Sequence, residues 1–178
     1  MRTLIRILAC CLVSVTFSVG SQAADTERQQ IGAYEDWTAY KGVKGSKRYC
    51  YIGTEPKEAK GDYTRRGPTY VLVTHWPDDN IFGEVSVEAG YPYDTSKDTT
   101  VDIGGKTYKL FTKNRNGGDG IAWTYEESAD EALVASMKSG ATMVVEGISS
   151  RGTKTKDTYS LKGFTAAYEA ITEACRAQ

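Results

Sequence analysis

The chain has a single histidine, and after its opening residues it has no long apolar run. These two shortages exclude much of what a protein of this size can do. Without further imidazoles, a His-based metal centre or a His-Glu-x-x-His protease motif cannot be assembled. Nor is there a Gly-x-Ser-x-Gly nucleophile elbow. Charge of one sign is also missing: 22 basic residues stand against 23 acidic ones, so the footprint of a nucleic-acid binder is absent. No segment beyond the start approaches the ~20 consecutive apolar residues of a membrane span.

The start itself is distinctive. Arg2 and Arg6 form a short positive region, residues 7–19 are apolar and uncharged, and Ser21-Gln22-Ala23 offers small residues where a signal peptidase reads. This pattern predicts a secretory signal peptide over 1–23, cut after Ala23 or Ala24. Cys10 follows Arg6 too closely to be a lipid-attachment cysteine. With Arg2 and Arg6 gone, 20 basic residues face 23 acidic ones. The rest is long enough for one domain with a real core.

Of the four cysteines, Cys10 and Cys11 leave with the signal, while Cys50 and Cys175 remain. Two cysteines in an oxidising compartment most simply form one disulfide. Two free thiols or a metal pair are the alternatives, and the latter lacks further ligands.

Residues 24–36 are polar and without period, and read as a flexible lead-in to a single domain over 37–178. Alternation dominates from there. Arg48-Tyr49-Cys50-Tyr51-Ile52 is an early strand, and residues 69–74 are β-branched and aromatic with apolar side chains on both faces, as in a central strand. Residues 84–89 alternate, with Val85, Val87 and Ala89 inward. Residues 100–103 and 106–111 flank Gly104-Gly105 as a hairpin, because both glycines can take the positive φ of a tight primed turn. A strand at 121–123, a helix over 126–138 ended by Gly140, strands at 142–148 and 155–161, and a final helix capped near Thr165 complete the pattern. Strands following strands predict an all-β, antiparallel β-sandwich with one helix between late strands and one at the C-terminus.

Chemistry is sparse. His75, at a strand end beside Trp76-Pro77, reads as a structural or surface histidine, since a general base needs partners that the sequence does not place near it. Gly105-Lys106-Thr107 resembles the tail of a phosphate loop, but Thr100 stands where its first glycine belongs. The 116–120 segment has calcium-loop composition without ordered ligands, and Asp78-Asp79-Asn80 reads as a solvated turn. No catalytic residue, cofactor or metal site is predicted. Twelve tyrosines and three tryptophans are what stands above background. Tyrosine suits strands in general, but flat amphipathic rings also make contact platforms. Trp76, the ring most expected to be exposed, together with His75 and Trp123, marks a candidate ligand or partner contact.

An ordered set of short motifs then accumulates. It runs from Asp36-Trp37 and Tyr49-Cys50 through Arg66-Gly67-Pro68, Glu84-Val85-Ser86-Val87 and Gly90-Tyr91-Pro92-Tyr93. Residues 133–140, Arg151-Gly152-Thr153, residues 157–164 and Cys175 complete it. This order resembles the invasion-associated locus B family of α-proteobacterial exported proteins, from Trp37 to Cys175. The resemblance implies an immunoglobulin-like β-sandwich in the periplasm or at the cell surface, with a link to host-cell invasion in the pathogens for which the family is named. It supplies no catalytic residues. The expectation is a non-enzymatic protein that contacts an envelope or host protein, with a small-ligand or glycan-binding module as the alternative. Arg151 and Asp157 are expected to meet across the last hairpin.

Overall fold

The computed structural model describes residues 28–112 and 120–176. The expected signal peptide, and the 114–120 loop apart from Gly120, lie outside the described residues.

Alternation has produced two antiparallel sheets. The first contains β1 (Arg28–Tyr34), β2 (Trp37–Lys44), β3 (Lys47–Thr54), β5 (Tyr70–Trp76), β6 (Ile81–Glu88) and β9 (Ile121–Trp123), in that order across the sheet. The second runs β4 (Glu58–Gly61), β11 (Lys154–Ser160), β10 (Thr142–Ile148), β7 (Thr99–Ile103) and β8 (Lys106–Leu110). The two helices stand where expected: α1 (Glu127–Ser139) lies between β9 and β10, and α2 (Phe164–Arg176) follows β11. Gly104 and Gly105 take φ of 61° and 86°, joining Ile103 to Lys106 in the predicted tight hairpin.

One core fills the space between the layers. Val85, Val87 and Ala89 face inward at 1% exposure each, beside Trp37, Ile52, Val71 and Val73. From α1 come Leu133, Val134 and Met137; from α2 come Phe164, Ala167, Ile171 and Cys175. Helix α2 lies over β1, β2, β3 and β5, with the Phe164 ring edge-on to Trp37 at 5.0 Å. Helix α2 begins at Phe164, so Thr165 is not its cap. The Thr165 hydroxyl instead donates to the Lys138 carbonyl near the end of α1. Cys50 and Cys175 form a disulfide, with Cα atoms 6.0 Å apart, that ties the last turn of α2 to β3.

Two further expectations differ from the structure. Residues 28–34 are a strand, not a flexible lead-in: β1 pairs with β2 from Arg28↔Gly42 to Tyr34↔Trp37, and Ile31 and Tyr34 pack on the core. Its polar composition belongs to an edge strand with little buried surface, which backbone pairing alone can hold. Asp157 does not take Arg151 as its partner. Its carboxylate receives both Nη groups of Arg66, each at 2.6 Å, while Arg66 Nε donates to the Ala89 carbonyl at 2.7 Å. Burial opposes the Arg66 charge, yet the Asp157 hydrogen bonds and negative charge overcome it and raise the guanidinium pKa. This pair links the two sheets, with both side chains 5% exposed or less.

Candidate functional site

His75 and Trp76 are consecutive on β5 and therefore point to opposite faces of the first sheet. His75 points inward and is fully buried. The Gly83 N–H donates to its Nδ1 at 2.9 Å, so Nε2 carries the proton and donates to Thr172 Oγ1 at 3.0 Å. The Thr172 hydroxyl in turn donates a hydrogen bond to the Tyr168 carbonyl at 2.8 Å. The ring is thus a donor to its hydroxyl neighbour, the reverse of what a general base would need. Phe82 and Tyr168 close on it edge-to-face at 5.3 and 5.0 Å.

Burial pushes the His75 pKa down to about 4. The folded pKa lies below the unfolded one, so this stability is full above about pH 6.5 and is lost progressively as pH falls from there through about 4. Denaturant unfolding between neutral pH and pH 4 is expected to reveal a loss on the order of 3 kcal/mol. His75→Gln should flatten that segment of the profile. An unchanged slope in the variant would assign it to other groups.

Trp76 faces outward but is only half exposed. Tyr49 lies against it at 5.6 Å and its Nε1 donates to Glu84 at 3.2 Å. It stands at one end of an aromatic row. Tyr40 and Tyr51, direct partners in the β2–β3 register, stack at 5.0 Å; Tyr49 follows at 6.0 Å from Tyr51. At the other end the Arg28 guanidinium sits 5.1 Å from the Tyr40 ring and donates to the Tyr51 hydroxyl at 3.2 Å. Beside the row, Thr38, Gly53, Leu72 and Thr74 form the floor and Tyr70 a further wall of an open groove of about 820 Å³.

Trp123 lies on the same face, opposite Ser86 of β6, but lines a different and smaller hollow with Ile81, Phe82 and Tyr125. The structure therefore does not gather His75, Trp76 and Trp123 into one site. Tyr40, Tyr49, Tyr51, Tyr70 and Arg28 were missed in the sequence, although a signal for part of the row was present. Tyr40 and Tyr51 are equidistant from Gly45-Ser46, and a two-residue turn there places them opposite each other. Among the described residues no group of three His, Cys, Asp or Glu side chains could hold a metal ion, and no helix is long and apolar enough to cross a membrane.

The family described as Invasion associated locus B (IalB) protein matches residues 37–172. A crystal structure of invasion associated protein b from Bartonella henselae superposes with a TM-score of 0.59 at 15% identity, covering 84% of this chain and 98% of that one. That likeness concerns the fold. None of the curated proteins compared with the chain matches it.

Proposed function

The chain belongs to the invasion associated locus B family, and from that membership we propose that it is an exported, non-enzymatic envelope protein that binds a protein partner through the outer face of its six-stranded sheet. The partner is a protein of the envelope or, in a pathogen, of the host. The tyrosine row carries this reading. The inner face of that sheet is covered by α2, whereas its outer face presents Tyr40, Tyr51, Tyr70, Trp76 and Arg28, the residue types in which binding energy concentrates at protein interfaces. The Cys50–Cys175 disulfide supports a place outside the cytoplasm. The donor role of the buried His75 supports a role without catalysis.

A second reading has one observation in its favour. The stacked Tyr40–Tyr51 pair borders a groove large enough for a small ligand, and flat rings with polar rims suit a sugar. Photo-cross-linking from Thr74, on the groove floor, separates the two. A discrete protein adduct supports the partner reading, and adducts to polysaccharide alone favour the glycan.

A further inference from the structure

A second concavity shares no lining residue with the tyrosine groove. It lies where the chain passes between sheets: the β4–β5 crossing, the β6–β7 crossing and the β10–β11 turn converge there. The three segments are locked by their backbones. The Gly67 N–H donates to the Gly90 carbonyl at 2.8 Å, and the Ser150 N–H donates to the Pro92 carbonyl at 2.8 Å. Gly90 has φ of 70°, and a Cβ there would stand 2.3 Å from the Gly67 oxygen, so this close approach requires glycine at position 90. The result is a rigid cleft of about 660 Å³.

Its net charge is positive. The buried Arg66, flanked by the Tyr63 and Tyr91 rings at 5.5 and 5.0 Å, is cancelled by Asp157. Arg65 and Arg151 also line the cleft, both are exposed, and neither has an ion-pair partner among the described residues. Asp62 is the acid of the lining that remains to oppose them. The cleft is therefore locally cationic on a chain whose total charge is −1. Hydroxyl groups of Thr64, Ser149, Ser150 and Thr153 accompany the two arginines. Ser149, 7% exposed, accepts the N–H groups of Arg151 and Thr153 at 3.3 and 3.1 Å, which leaves its own proton to donate elsewhere.

We propose that this cleft binds a phosphate monoester, held by the guanidinium groups of Arg65 and Arg151 and by the Ser149 and Ser150 hydroxyls. Guanidinium forks match phosphate oxygens in geometry and charge. Two forks with additional hydroxyl donors suit a group with three terminal oxygens better than a carboxylate with two. The phosphate can belong to a free solute or to a lipid headgroup, and the test separates these sources.

The test uses the disulfide-bonded protein in two arms: glycerol 3-phosphate followed by amide chemical shifts, and co-sedimentation with phosphatidylcholine vesicles containing phosphatidic acid. Saturable shifts at the Ser149, Ser150 and Arg151 amides assign a soluble phosphate, and sedimentation with the acidic vesicles alone assigns a headgroup. Either result supports the proposal when the Arg65→Ala/Arg151→Ala variant, with its melting temperature unchanged, binds about tenfold or more weakly. Absence of binding to both probes, or equal binding by the variant, overturns it.

Discussion

Removing the disulfide with Cys50→Ser/Cys175→Ser should lower the folding free energy by about 3–5 kcal/mol. The bond closes a loop of 125 residues, for which chain-entropy arithmetic gives ~4–5 kcal/mol. The loss should be uneven. The first two turns of α2 keep Phe164 against Trp37 and bury Ala167 and Ile171, so they hold their place without the bond. The last turn, with exposed Arg176 beyond Cys175, keeps without the bond only the His75–Thr172 hydrogen bond and the partly buried Ala174. Urea unfolding should show the lower midpoint, and hydrogen exchange should show faster opening of residues 172–176 than of 164–168. A loss below about 1 kcal/mol would mean that packing, not the cross-link, secures α2.

Breaking the Arg66–Asp157 pair should cost as much. Arg66→Ala leaves the Asp157 carboxylate, 3% exposed, without its partner, a change that costs about 3–5 kcal/mol in buried pairs. The same substitution strips a donor from the Ala89 carbonyl and the cation from between Tyr63 and Tyr91. Arg66→Lys keeps the charge but cannot reproduce two parallel bonds plus a third from Nε, so it should fall between wild type and alanine. The double change Arg66→Met/Asp157→Leu should be less damaging than Arg66→Ala alone, because no buried charge is left unpaired. Thermal unfolding of the three variants gives the ranking. A double variant as unstable as the alanine variant would place the effect in lost packing instead.

Elements with a buried face were legible in the sequence. Val85, Val87 and Ala89 alternate because one side of β6 meets the core, and Gly104-Gly105 marks its turn because few other residues tolerate that backbone. Strands held by backbone alone left no trace. β4 is Glu58-Ala59-Lys60-Gly61, exposed at every position and fixed by pairing with β11, so no hydrophobic period announces it. β1 has only Ile31 and Tyr34 against the core, two positions three apart that make no strand period. Asp157 was assigned the wrong arginine because the hairpin suggests a neighbour, whereas its partner is 91 residues away and reaches it only through the inter-sheet crossing. The site suffered from the same limit. His75 and Trp76 were noticed as chemical types, but which face each takes depends on strand register, and the tyrosine row exists only once β2, β3 and β5 are aligned.

If the outer face of the six-stranded sheet holds a protein partner, that partner lies within reach of Thr74. A photo-cross-linking residue placed at Thr74 in the native envelope tests it, with the same probe at exposed Lys109 of β8, in the other sheet, as the control. The expected result is one discrete protein adduct from Thr74, absent from Lys109, and lost when Tyr40→Ala/Tyr51→Ala is introduced into a chain that still folds. Adducts of equal pattern from both positions, or a Thr74 adduct indifferent to the two tyrosines, would contradict it.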